Sequence, residues 1–288
     1  MRVNKITPFF VVILFITVLF AGAVTVPAAA QHNTMQFRCN AQHTGDYSTL
    51  AGSNTSEGLL TWNYTTGNYV FSSPAVANGL VYVGSEDNNV YALNATTGAK
   101  LWNFTTGNYV LSSPAVANGT VYVGSDDNNT YALNATTGAK LWNFTTGGDV
   151  LCSPAVANGT VYVGSYDSNV YALNASSGAK LWNYTTGGLV YSSPAVANGT
   201  VYVGSSDSNV YALNATTGAK LWNFATGDYV FSSPAVVNGM VYVGSYDGNV
   251  YALGNEAVST SQGATPGFDV VLALIGLVIA AYAVKRKS

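Results

Sequence analysis

One phrase returns five times along this chain, forty residues apart. Ser-Ser-Pro-Ala-Val-Ala-Asn-Gly-Thr-Val-Tyr-Val-Gly-Ser occupies 192–205, and close copies begin at Ser72, Ser112, Cys152 and Ser232. A unit this short cannot enclose a core alone, so its copies must bury their faces on one another. Each copy divides into four strands at its own turn residues. In the second, strand a is expected over Ser113–Ala117, and Asn118-Gly119 forms a tight hairpin because both residues tolerate positive φ. Strand b follows over Thr120–Gly124, strand c over Thr130–Leu133 and strand d over Lys140–Phe144. Val-Tyr-Val and Tyr-Ala-Leu carry apolar residues at successive positions, as strands covered on both faces do. The pattern predicts an all-β chain: a five-bladed β-propeller of four-stranded antiparallel blades.

The reading frame adds an expectation about closure. Strands a, b and c occur five times, ending at Leu253, while the first d strand, Leu59–Tyr64, precedes any a strand. That N-terminal d strand is expected to pair with Val250–Leu253, closing the ring and covering an edge that an open array would expose.

The repeats are flanked by segments of another kind. Residues 1–30 have a basic start (Arg2, Lys5), an apolar run from Phe9 to Val24 and the small-residue exit Ala28-Ala29-Ala30, the parts of a secretory signal helix. Residues 31–58 form a lead-in, 59–254 the propeller and 255–265 a Ser/Thr/Gly linker. Residues 266–288 run Pro-Gly-Phe-Asp, an apolar stretch Val270–Val284 and Lys285-Arg286-Lys287, as expected of a transmembrane helix held by a basic cluster. This last order resembles the PGF-CTERM sorting signal of archaeal surface proteins, with Asp269 where that signal more often has Glu. The resemblance implies cleavage near the tripeptide and attachment to a lipid; a permanent single-span anchor is the alternative. Either way the partners include the membrane, reached through the C-terminal anchor.

Between Gln31 and Thr265 there are five basic residues against twelve acidic ones, a balance of −7. A nucleic-acid partner is therefore not expected, since it needs clustered Lys and Arg. The two cysteines, Cys39 and Cys152, could pair in an oxidising compartment. Thirteen Asn-x-Ser/Thr sequons allow N-glycosylation, among them Asn94, Asn118, Asn134, Asn158, Asn174, Asn198 and Asn214.

Tyr131-Ala-Leu-Asn-Ala-Thr-Thr-Gly-Ala-Lys-Leu-Trp142 resembles the pyrroloquinoline-quinone (PQQ) propeller repeat, whose pattern is Ala-x-Asp/Asn-x-x-Thr-Gly-x-x-x-Trp. Ala92–Trp102 and Ala212–Trp222 fit it equally, and Ala172–Trp182 has Ser for Thr. The resemblance implies that Trp62, Trp102, Trp142, Trp182 and Trp222 each dock one blade on the next. Family rings usually have seven or eight blades, so five is a departure; a larger ring built from two chains is the alternative. The resemblance does not bring the cofactor. Family dehydrogenases hold PQQ with Ca²⁺, an adjacent-cysteine disulfide, a stacking Trp and a catalytic Asp; here the cysteines are far apart and every Trp belongs to the repeat. No Ser/His/Asp set or metal-spaced His/Cys group is present, so no cofactor, metal or catalysis is expected.

The copies differ mainly on one side. Strands a and c run one way and b and d the other, so b–c turns and d–a connections share a face. That face carries Tyr69, Tyr109, Asp149, Asp228 and Tyr229 in the connections, and Glu86, Asp126, Tyr166 and Tyr246 in the turns. A constant Asp follows in each turn: Asp87, Asp127, Asp167, Asp207 and Asp247. Nine of the twelve acids lie there, while the opposite face repeats nearly unchanged and carries the seven sequons named above. Tyr among polar loops suits contact with a partner, whereas Asp in such a turn also bonds its own backbone. The expected function is a non-catalytic interaction or envelope module at the cell surface, with an unidentified envelope protein or polysaccharide as partner. The alternatives are a PQQ-dependent quinoprotein dehydrogenase and a purely structural envelope component.

Overall fold

The computed structural model describes residues 59–254. The signal helix, lead-in, linker and transmembrane helix expected at 1–58 and 255–288 lie outside them. Each of the first four sheets has four antiparallel strands in sequence order. The first holds β1 (Ala75–Ala77), β2 (Leu80–Gly84), β3 (Asn89–Asn94) and β4 (Lys100–Thr105). The second holds β5 (Ala115–Ala117), β6 (Thr120–Gly124), β7 (Asn129–Asn134) and β8 (Lys140–Thr145). The third holds β9 (Ala155–Ala157), β10 (Thr160–Gly164), β11 (Asn169–Asn174) and β12 (Lys180–Thr185). The fourth holds β13 (Ala195–Ala197), β14 (Thr200–Gly204), β15 (Asn209–Asn214) and β16 (Lys220–Ala225). The last has three strands, β17 (Ala235–Val237), β18 (Met240–Gly244) and β19 (Val250–Leu253).

Local chemistry sets each turn. Ala117 pairs with Thr120 across Asn118 (φ 48°) and Gly119 (φ 73°), the two positive dihedrals a two-residue hairpin of this twist requires. Packing then joins the sheets. Strands β1, β5, β9, β13 and β17 touch in succession. The Trp102 indole N–H, on β4, donates to Ala135 O in the next sheet at 3.0 Å, and its ring lies 5.8 Å from Tyr82. Trp142 and Trp182 repeat this with Ala175 O and Ala215 O. Gly138 makes the seat: it has φ +73°, and a Cβ there would meet the Trp102 ring at 2.7 Å. Nearer the middle of the molecule, Gly84, Gly124, Gly164 and Gly204 lie against Val110, Val150, Val190 and Val230, which are buried.

The expected closure is not formed. Residues 59–65 make no strand and do not pair with β19, which has no fourth-strand partner among the described residues. The first segment is instead held on the first sheet. Trp62 Nε1 donates to Ala95 O at 3.0 Å, Tyr64 stands 5.4 Å from Tyr91, and Gly67 N donates to Asp87 Oδ2 at 2.6 Å. Val70, whose counterparts fill the glycine seats, is 49% exposed, and Gly244 has no valine against it.

Candidate functional site

The turns and connections share the face expected of them. Glu86 N donates to Tyr69 O, Asp126 N to Tyr109 O, Tyr166 N to Asp149 O and Tyr246 N to Tyr229 O, each at 2.9 Å. On the opposite face Ala135 N donates to Gly119 O at 2.9 Å, joining the c–d loop to the hairpin.

The constant aspartates are committed to the sheets. Asp127 Oδ1 accepts from Asn129 N at 3.0 Å, and its Oδ2 accepts from the Tyr131 hydroxyl and from Gly107 N, both at 2.6 Å. Gly107 follows β4, so this carboxylate ties the incoming chain to the second sheet. Asp87, Asp167, Asp207 and Asp247 make the same set with Tyr91, Tyr171, Tyr211 and Tyr251. At Asp87 and Asp167 burial raises the carboxyl pKa, but the bonds from tyrosine, glycine and asparagine outweigh it and the net shift is downward. At Asp247 the Tyr251 hydrogen bond leads, and the carboxyl falls to about 2. The partner tyrosines Tyr91, Tyr131, Tyr171 and Tyr211 are raised by burial and then by their aspartates. These carboxylates have few oxygens left for a ligand.

The variable residues are disposed differently. Asp126 is half-buried, and its Oδ1 is enclosed without a protein hydrogen-bond partner. Burial, then the charges of Asp149, Asp127 and Glu86, push its carboxyl up to about 7. On the later sheets the face is aromatic. Tyr166 lies 5.8 Å from Tyr191, and Tyr191 lies 5.5 Å from Phe231. Phe231 stacks on Tyr229 at 5.5 Å and meets Tyr246 edge-on at 4.9 Å. Burial and the neighbouring Tyr191, Asp149 and Asp126 push Tyr166 up to about 12. Tyr69 and Tyr109 are exposed over the first two sheets, Tyr69 near Phe71 at 6.3 Å. Asp228 Oδ1 accepts from Tyr229 N at 2.7 Å and shapes the last connection.

Sequence reasoning missed Phe71, Tyr191 and Phe231. They occupy one repeat position, with Leu111 and Leu151 between them, and all five line a cavity of about 770 Å³ together with Glu86 and Cys152. The signal was available: the residue just before the Ser/Cys-Ser-Pro phrase is Phe, Leu, Leu, Tyr and Phe in the successive copies.

Cys152 is a buried thiol; the permitted pairing with Cys39 falls on a residue outside the described ones. The Cys152 Sγ accepts from Gly164 N at 3.0 Å, as Ser112 Oγ does from Gly124 N, and burial pushes the thiol up to about 12. Among the sequons, Asn118, Asn158 and Asn198 sit exposed in hairpin turns. Asn94, Asn134, Asn174 and Asn214 are half-buried, and their Oδ1 atoms accept backbone N–H bonds within the c–d loops.

PQQ, a quinone with three carboxylates, does not suit this cavity. Its lining offers the Glu86 carboxylate and no Lys or Arg. Lys100, Lys140, Lys180 and Lys220 begin the outer strands and donate to Asn103, Asn143, Asn183 and Asn223. Three indoles are engaged between sheets, Trp62 is engaged on the first sheet, and Trp222 packs against Tyr202 at 5.9 Å. Among the described residues no three His, Cys, Asp or Glu side chains are grouped to hold a metal ion.

Sheets stacked by inter-blade indoles, with paired loops on one face, define a β-propeller repeat protein. The chain belongs to the PQQ_2 family, described as outer membrane protein assembly factor BamB, through residues 40–112, 89–190 and 186–258. Residues 265–287 match the PGF-CTERM motif, which marks a protein anchored at the cell surface. No curated protein matches the chain. Among solved structures, BamB from Moraxella catarrhalis is 22% identical with a TM-score of 0.60, covering 67% of this chain and 61% of its own. The quinohemoprotein alcohol dehydrogenase ADHIIG from Pseudomonas putida HK5 is 20% identical with a TM-score of 0.57, covering 67% of this chain and 41% of its own. A computationally designed protein, Ika8, is 18% identical with a TM-score of 0.58, covering 63% of this chain and 57% of its own. The chain thus spans about three fifths of the BamB length.

Proposed function

We propose that this protein is a non-catalytic interaction module of the cell surface, binding an envelope polysaccharide or protein through the face of b–c turns and d–a connections. The observation that carries this reading is the run of aromatic rings Tyr166, Tyr191, Phe231, Tyr229 and Tyr246 beside the acidic group Glu86, Asp126 and Asp149. The exposed rings Tyr191, Tyr229 and Tyr246 and the carboxylates near Tyr166 offer flat apolar contact with acceptors at its margin, and sugar rings and protein loops both use that combination. Glycan on Asn118, Asn158 and Asn198 would cover the other face and leave this one bare. The similarity to BamB, described as an assembly factor, agrees with a role in protein contact.

The test is binding of the full chain to fractionated envelope polysaccharide and envelope protein, with and without Tyr229→Ser and Tyr246→Ser together. Loss of binding with an unchanged melting temperature is expected. Equal binding by the double variant would remove the face from the account. Dye reduction on adding PQQ and Ca²⁺ would overturn the non-catalytic reading.

A further inference from the structure

The two ends of the sheet series are complementary halves of one missing contact. Residues 60–65, Leu-Thr-Trp-Asn-Tyr-Thr, occupy the place of a fourth strand docked on the first sheet, but no third strand pairs with them. Strand β19 is a third strand without a fourth among the described residues, and its Val250 is 80% exposed. The chain has five tryptophans and all lie in this strand motif, so neither 1–58 nor 255–288 contains another Trp-Asn segment to cover β19.

We propose that β19 of one copy pairs with residues 60–65 of a second copy, joining chains head to tail. The register follows from the complete sheets, where Ala92 faces Trp102, Tyr91 faces Asn103 and Asn89 faces Thr105. By that register Ala252 faces Trp62, Tyr251 faces Asn63 and Asn249 faces Thr65 of the second copy. The faces behind the strands match as well. Tyr82 of the first sheet packs with Val116 and Tyr131 of the second. Their counterparts, Tyr242 at one end and Val76 at the other, are 39% and 48% exposed. The same contact places Val70 of one copy in the open seat at Gly244 of the other.

A second copy is favoured over the chain's own start because residues 60–65, held on the first sheet through Trp62, Tyr64 and Gly67, do not pair with β19 of their own chain. A heterologous contact of this kind yields a ring where the rotation closes and a filament where it does not. Chains anchored in one membrane meet at high local concentration, which assists such pairing.

The experiment uses the full chain in a Cys39→Ser, Cys152→Ser background. One batch carries Thr65→Cys and another Asn249→Cys, positions that face each other in the proposed register at a spacing a disulfide spans. Mixed and oxidised, they are expected to give a species of twice the chain mass, and the doubly substituted chain a ladder of multiples. Val250→Pro, which clashes at the exposed edge, is expected to abolish cross-linking and leave a monomer in sedimentation with an unchanged melting temperature. A doubly substituted chain that closes only on itself at every concentration would overturn the proposal. So would a mixture that stays monomeric.

Discussion

Trp102 and Ala135 belong to different sheets, and the 3.0 Å bond from the indole N–H to that carbonyl fixes one sheet on the next. The same bond recurs from Trp62, Trp142 and Trp182, so one contact, copied, carries the architecture. Trp142→Ala is expected to cost about 3–5 kcal/mol. Trp62→Ala should cost less, because that ring stays half-exposed at the end of the series. Gly138→Ala and Gly119→Ala separate seat from backbone. Both residues have φ +73°, but only Gly138 has a Trp ring where Cβ would go. Gly138→Ala should therefore lower the melting temperature well beyond Gly119→Ala, read by circular dichroism.

Cys152 fills a place that serine holds in the other four copies, accepting the same backbone N–H. Cys152→Ser is expected to change stability by less than about 0.5 kcal/mol. Cys152→Val should cost about 1–3 kcal/mol, because Gly164 N would be left buried without an acceptor. Thermal melts of the two variants decide the point, and the native thiol should resist alkylation until the chain unfolds.

Asp126 gives stability a pH dependence of definite sign. Its carboxyl is pushed up to about 7 in the folded chain by burial and by Asp149, Asp127 and Glu86. Below the unfolded value of 3.8 it is protonated in both states and has no effect. As pH rises from there towards 7 the unfolded chain releases the proton first, so stability falls, and above 7 the loss is constant. The group is half-exposed, so solvent screening holds the effect to about 1 kcal/mol. Asp126→Asn should remove that part of the decline in melting temperature across this window. An identical decline in the variant would place its cause elsewhere.

The repeat period, the Asn-Gly hairpins and the sharing of one face by turns and connections were legible in the sequence, because each follows from local periodicity and turn chemistry. Closure was not. It depends on two distant edges meeting, and Gly204 meets Val230 whereas Gly244 meets no Val70. The strand pattern is blind to such long-range meetings. That each constant aspartate bonds its own turn was legible, but sequence cannot show that Gly107 N and the Tyr131 hydroxyl also converge on Asp127. Tyr191 and Phe231 were passed over because the side facing the cavity is a property of the stack, not of a strand.

The account turns on one face doing the binding, and blocking each face of a single sheet tests that most directly. Ser206 lies in the b–c turn of the fourth sheet and Asn198 in its hairpin on the opposite side. In a Cys39→Ser chain, Ser206→Cys and Asn198→Cys can each carry a bulky maleimide polymer while Cys152 stays buried. Envelope binding is predicted to be lost when the polymer sits at 206 and kept when it sits at 198. Binding lost only at 198, or kept at both, would contradict the account.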